Sequence, residues 1–559
     1  MGIKRSQSNP KARGMSRRQF LRYTALGGSA AFLAACAVPA EPGTETGAPA
    51  APAEGAAPAP GEGQSGGTMI WLGHQEIASL SPDDAGPDVH FVIVYNIHNP
   101  LLYYNEYNEV ELVLAESYEV ADDGLTYTFK LREGVKFHDG KELTSADVKY
   151  TYDYYRNPDN AAVSAGDFFG IDSIETPDDY TVVVKMAQVN AASLATWASF
   201  GIVQSEYHAE VGEETYRTAP IGTGAYKLKE WRAAEYTEIE AFDDHFRGRP
   251  KIDTIRLEVV PEPSVRMVAL QSGEAHSSVW PLLVEDSLTL EQDPNFILFR
   301  TLGNSIKHFP LNNQLPQLSD KRVRQAMMHA LDRQRIIDDL WAGTAQVAHS
   351  NIPPSSFYHK PDLKQYDYNV EKANALLDEA GWVMGADGIR EKDGMKLSFT
   401  CTTISGDSAR RPIAELAQQM LKEVGIDMQL AEAPVASILE GMRNGTLDAS
   451  LFNWTYNTNA VEPDPFSTLH STGGNNFNNF RNEEMDQLIE AGLNVVDPEE
   501  RRVYYDRIQE IFVEEVPCLY LQFDEWLIPF SRRIQGLPEN PKASTVYYLR
   551  AHEWSLSEA

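Results

Sequence analysis

Cysteine is nearly absent from this chain: of 559 residues only Cys36, Cys401 and Cys518 carry a thiol. That excludes a disulfide-built scaffold, which a chain this long does not need, since it can bury more than one hydrophobic core. Metal-binding patterns are lacking as well. There is no H-E-x-x-H and no paired Cys/His spacing, and the 13 histidines do not cluster locally, so no metal or other cofactor is expected. Basic residues are scarce, 48 against 81 acidic, for a net charge of −33. Such a surface repels phosphate backbones and anionic headgroups, so no nucleic acid is expected as a partner. No fixed-period repeat appears. A nucleophile elbow is missing too. Gly63-Gln64-Ser65-Gly66-Gly67 has the G-x-S-x-G spacing, but it sits in linker sequence, without the strand and helix that would present the serine. A secreted hydrolase therefore has little support. A glycosidase-like carboxylate pair is the residual option, and linear sequence does not give its separation.

What is present begins at the N-terminus. Seven basic residues and no acidic ones fall within residues 1–35, which leaves 41 basic against 81 acidic in the rest. Ser16-Arg17-Arg18-Gln19-Phe20-Leu21-Arg22 resembles a twin-arginine export motif, and the small, apolar stretch 23–33 after it is too short to span a bilayer. It ends in Leu33-Ala34-Ala35-Cys36, which resembles a lipobox, with Cys36 as the lipidation site. Residues 36–67, rich in Ala, Pro, Gly and Glu, cannot bury enough apolar surface to fold and read as a disordered tether. The chain is thus expected to be exported and lipid-anchored on the outer face of the cytoplasmic membrane or in the periplasm, touching the membrane only through that anchor.

Folded sequence begins near Thr68. Strands are predicted at 68–72, 125–131, 181–185, 226–231, 236–241 and 255–260 from apolar and polar patterning. A helix is predicted from Thr144 to Arg156, with Thr144 as N-cap and Asp147 three residues on. After about residue 300 helical patterning dominates, in 320–331, 369–380 (closed by Gly381), 411–424 and 498–516. Strands are predicted at 426–430 and 519–523. Cys401 and Cys518 are left open as a disulfide or as two buried thiols.

One segment is specific: Leu131-Arg132-Glu133-Gly134-Val135-Lys136-Phe137-His138-Asp139-Gly140-Lys141-Glu142-Leu143-Thr144-Ser145-Ala146-Asp147-Val148. With Gly222-Thr223-Gly224-Ala225-Tyr226, Arg322-Val323-Arg324-Gln325-Ala326, Glu371-Lys372-Ala373 running to Gly381-Trp382, and Trp454 before Pro463-Asp464-Pro465, it resembles the family 5 extracellular solute-binding proteins, the peptide and nickel binding components of ABC importers. The resemblance implies an α/β, bilobed periplasmic-binding-protein (type II-like) fold with an additional domain and the ligand cleft between the lobes. Lobe 1 would be discontinuous (68–99, 216–300 and 516–559), 100–215 the additional domain, and 301–515 lobe 2. The implied function is non-catalytic capture of an oligopeptide or peptide-like solute, handed by a monomer to its cognate ABC permease.

In peptide-binding relatives a carboxylate three residues after the cleft tryptophan holds the peptide's ammonium. Here Asn457 stands at that place after Trp454, and an amide cannot neutralise a cation. With Tyr456 and Asn459 the segment also suits an oligosaccharide, the second ligand expectation. Trp280, and Asp84 and Gly86 in the loop 84–88, complete the expected ligand-binding set.

Overall fold

In a computed structural model two β-strands, each too long for a single small core, run from one hydrophobic core into another. The structure describes residues 66–557 apart from 84–87, 161, 169, 191–192, 195–196, 198–199, 408, 456–464 and 544–545. The leader and most of the tether predicted from sequence, Cys36 included, lie outside the described residues. Nine strands form the main sheet: β1 (Thr68–Gly73), β2 (Tyr226–Arg232), β3 (Tyr236–Ala241), β4 (Thr254–Val259), β5 (Ser277–Ser278), β6 (Phe296–Pro310), β7 (Ala345–Val347), β8 (Phe452–Thr455) and β9 (Cys518–Ser531). Their order is β8-β6-β9-β5-β1-β4-β3-β2, with β7 also paired to β9. β1 pairs in parallel with β4 and β5, and the other pairings are antiparallel.

β6 and β9, 15 and 14 residues long, pair with each other along nearly their full length. One end of the pair sits in a core with Trp71, Val92, Tyr226, Phe299, Phe530 and Trp554. The other end sits in a second core with Ile306, Phe309, Val323, Phe399, Phe512 and Phe523. The second core is closed by the parallel sheet Ser398–Ile404, Asp427–Ala433 and Ala449–Ser450 and by amphipathic helices Lys321–Ala330, Arg410–Glu423 and Pro498–Glu515. Cys401 and Cys518 are both buried there as free thiols. A third core, with Phe129, Leu131, Val148, Tyr152 and Trp197, lies under the four-stranded sheet of Ala115–Val120, Thr126–Leu131, Thr181–Met186 and Ile171–Asp178.

The local rules hold at the caps. Asn369 accepts from Lys372 N at 2.8 Å to start helix Val370–Glu379, and Gly381 after it adopts φ 85°. Helix Ser145–Arg156 follows Thr144, whose N–H donates to Asp147 Oδ2 at 3.0 Å, and the same carboxylate accepts from Ser205 Oγ at 2.6 Å. The segment 131–148 therefore does structural work beyond one turn.

Its His138 holds the glycine turn. Gly222 N donates to His138 Nδ1 at 3.3 Å, leaving the ring proton on Nε2 to meet Gly224 O at 3.0 Å. The two glycines are required by close approach. A Cβ on either would fall on the carbonyl oxygens of Ile97 and Asn96 at the end of helix Asp88–Ile97. Burial lowers the His138 pKa to about 4. Between pH 4 and the ordinary 6.5 the unfolded chain therefore binds a proton that the folded chain does not, so this group's contribution to stability is lost as the pH falls through that window. The shift corresponds to roughly 3 kcal/mol at ~1.4 kcal/mol per unit. Glutamine at position 138 keeps a donor and an acceptor but does not titrate. The urea midpoint of His138→Gln should thus fall less steeply from pH 6.5 to 4 than that of the wild type.

Candidate functional site

Parallel strands present their carboxyl ends together, and an open α/β sheet binds its ligands at that edge. Here β1 ends at Gly73 and is followed by His74, and β5 ends at Ser278 and is followed two residues later by Trp280. The His74 and Trp280 rings lie 4.2 Å apart, centroid to centroid. Trp280 in turn meets Trp526 of β9 edge-to-face at 5.0 Å. Ser278 Oγ donates to Trp280 O at 2.6 Å and fixes the backbone that carries the indole. Three half-buried rings thus form a wall against the long strand pair. Burial, with the Arg266 guanidinium adding to it, lowers the His74 pKa, so the ring is held neutral.

The wall stands where the β6–β9 ladder is irregular. Its register shifts between Leu302 and Ile306, and again between Lys307 and His308. Gly303 lies under Trp526: a Cβ there would come within 2.8 Å of the indole Cδ1. Between the two shifts Lys307 projects against the Asp524 carboxylate and under the Trp341 ring, whose centroid is 4.7 Å from the ammonium. Beyond it Arg410 pairs with Asp407, whose Oδ1 also accepts from the Arg410 backbone N at 2.9 Å. Two cations and two carboxylates therefore compensate one another at this point. Burial pushes the Lys307 pKa down to about 7, with Arg410 adding to the shift and Asp407 opposing it.

Of the residues expected from sequence, Trp280 and Trp454 fall within the described chain, and both border the long strand pair. Trp454 lies on β8 opposite Ile306 of β6, its ring 6.3 Å from Phe477. It helps line a small cavity with His308, Asn351 and Asn478. Asp84, Gly86, Tyr456, Asn457 and Asn459 lie outside the described residues. A larger cavity of about 580 Å³ opens beside β7, lined by Asp332, Gln346, His349, His359, Tyr368 and Phe523. Among the described residues no three His, Cys, Asp or Glu side chains converge as a metal site.

His74, Trp526, Lys307 and Asp524 were not singled out from sequence. The signal available was a charge among buried strand residues: Lys307 beside Ile306, and Asp524-Glu525 between the apolar stretches around Leu521 and Leu527. Such a charge survives only if paired or functional.

Residues 109–478 match the model of the bacterial extracellular solute-binding proteins, family 5 Middle. The oligopeptide-binding protein AppA of Bacillus subtilis is 31% identical over 501 residues, which cover 86% of this chain and 91% of that protein. The structure of the Bacillus subtilis AppA protein in complex with a nonapeptide matches at TM-score 0.71 and 29% identity, covering 89% of this chain and 100% of that one. The ABC transporter substrate binding protein CtaP of Listeria monocytogenes matches at TM-score 0.78 and 25% identity, covering 89% and 100%. The α/β fold expected from sequence is the fold of these solved relatives.

Lys307 gives the site a titration to follow. From about pH 7 to the ordinary lysine value of 10.5 the folded chain holds one proton fewer here than the unfolded chain, so this group's contribution to stability rises with pH across that window. After reductive ¹³C-methylation, one dimethyl-lysine resonance should titrate near pH 7, well below the others, and should vanish in Lys307→Met. A Lys307 signal that titrates with the bulk would refute the assignment.

Proposed function

The chain belongs to the family 5 bacterial extracellular solute-binding proteins, and on that premise we propose that it captures an oligopeptide outside the membrane and delivers it to the permease of an ABC importer, without catalysis. Capture occurs between two lobes that share β6 and β9. One is built from 68–99, 216–300 and 516–559 with 100–215 as its added domain, the other from 301–515. Closure around the ligand excludes water, which strengthens every polar contact inside.

The observation that carries this reading is the wall of His74, Trp280 and Trp526 at the carboxyl ends of β1 and β5, against the strands that join the lobes. Its apolar ring faces suit a ligand of varied side chains, because they are sequence-tolerant where a fixed charge would not be. The charges beside it are paired with one another, Lys307 with Asp524 and Arg410 with Asp407. Trp454, Tyr456, Asn457, Asn459, Asp84 and Gly86 complete the proposed ligand contacts. An oligosaccharide is the second reading, favoured by Asn457 where peptide binders place a carboxylate.

The leader extends the proposal: export by the twin-arginine route, cleavage before Cys36 and acylation of its thiol, with the monomer held at the membrane by that anchor alone. No helix among the described residues is long and apolar enough to cross a membrane.

Native mass spectrometry of the purified protein should show a co-purifying peptide, and calorimetry should detect nonapeptide binding. Trp280→Ala should weaken that binding about tenfold or more, as removal of a central aromatic anchor does. A bound oligosaccharide instead would replace the peptide reading with the second one. Cys36→Ser should abolish incorporation of labelled palmitate, and labelling that persists would remove the anchor from the proposal.

A further inference from the structure

Among the described residues, two of the contacts that join the halves of the molecule lie away from the shared strands. The hairpin of Leu102–Tyr104 and Val110–Leu112 packs in the first half, with Tyr103 and Val113 against Ala543 and Val546. Its tip is a tight turn: Asn105 N donates to Glu109 O at 2.8 Å, and Asn105 Oδ1 accepts from Tyr107 N and Glu109 N at 2.9 and 3.0 Å. Asn108 adopts φ 65°, a left-handed conformation in which Asn and Gly are the tolerated residues. From that position its Nδ2 donates to Ser355 O, in the second half, at 3.0 Å.

Both sides of the contact are rigidly mounted. On the first side Glu106 is buried, its carbonyl accepts from Lys542 N and Ala543 N at 2.7 and 3.0 Å, its carboxylate meets Arg550 at 3.4 Å, and Tyr107 OH donates to Glu539 O at 2.9 Å. On the second side the Ser355 loop leads into buried Tyr358, whose hydroxyl accepts from Arg501 Nε at 2.8 Å and whose carbonyl accepts from Gln509 Nε2 at 2.8 Å. Arg501 and Gln509 belong to helix Pro498–Glu515. The other cross-contact reaches the start of the same helix: Gly124, in the turn between Ala115–Val120 and Thr126–Leu131, lies so close to Val496 that a Cβ there would stand 2.7 Å from its Cγ2.

We infer that Asn108 is a latch on lobe closure: its side-chain amide, docked on the Ser355 carbonyl, holds the additional domain against helix Pro498–Glu515 and so slows ligand escape. Asn108 is a positioning residue, remote from the aromatic wall, and it acts on the open–closed equilibrium rather than on the ligand. The inference rests on the reading of capture by closure.

The left-handed φ supplies clean variants. Asn108→Gly keeps the turn and removes the amide, and Asn108→Asp keeps the shape but sets a carboxylate against a carbonyl. Spin labels on unnatural amino acids at exposed Glu119 and Glu371 report the separation of the halves in the full chain without peptide. Both variants should shift the distance distribution to longer separations and speed nonapeptide dissociation about fivefold, the effect of one hydrogen bond, with an unchanged urea midpoint for Asn108→Gly. Distributions that superimpose on the wild type overturn the latch whatever the ligand is. A wild-type chain that does not bind nonapeptide overturns the peptide reading, while the label distances still decide the latch.

Discussion

The ladder between β6 and β9 is the constraint on which the rest depends. Each strand is anchored at one end in the core of Trp71 and Phe530 and at the other in the core of Phe309 and Phe512. The two cores therefore share one continuous pair of strands, and the ladder between them is irregular from Leu302 to His308. Two strands bend there more readily than a packed core, whose close packing resists gradual deformation. The ring wall and the paired charges gather at that stretch. Trp526 fits over Gly303, Trp280 leans on Trp526, and the Lys307–Asp524 pair bridges the two strands.

Much of the scaffold was legible because its rules are local. The caps at Asn369 and Thr144, the alternation in Thr126–Leu131 and the apolar stripe of Lys321–Ala330 each lie within a dozen residues of chain. The long strands were not legible. Patterning predicted only 519–523 of Cys518–Ser531, because Asp524-Glu525 breaks the apolar run, and it missed Phe296–Pro310, where Gly303-Asn304-Ser305 resembles a turn. Both interruptions are the ladder irregularity itself. The site was half-legible for a related reason. Trp280 stands out as a lone indole, but its partners His74 and Trp526 are some 200 residues away in either direction, and no linear pattern pairs them.

The segment 131–148 and the glycine turn 222–224 meet at a joint. His138, from the segment 131–148, grips Gly222 and Gly224 where the chain returns to the main sheet, and the same turn presses on the end of helix Asp88–Ile97. Three stretches far apart in sequence meet at one imidazole. This joint ties the third core to the first, the core on which the Asn108 hairpin also packs through Ala543 and Val546.

The first core also draws on both ends of the described chain. Trp71, from the first described strand, packs its indole against Tyr548 at 4.9 Å and Trp554 at 6.2 Å, and Tyr548 bonds Ser277 beside it at 2.6 Å. Nearly 480 residues separate those partners, so this core closes only when the first described strand meets a segment at the far end of the described chain. Loop closure over that span is slow compared with helix formation. The second core, made largely of the intervening chain, needs only β9 to finish. The third core, built within residues 101–202, closes over far shorter loops, whereas the segment from Cys518 onward contributes to the first and the second core alike.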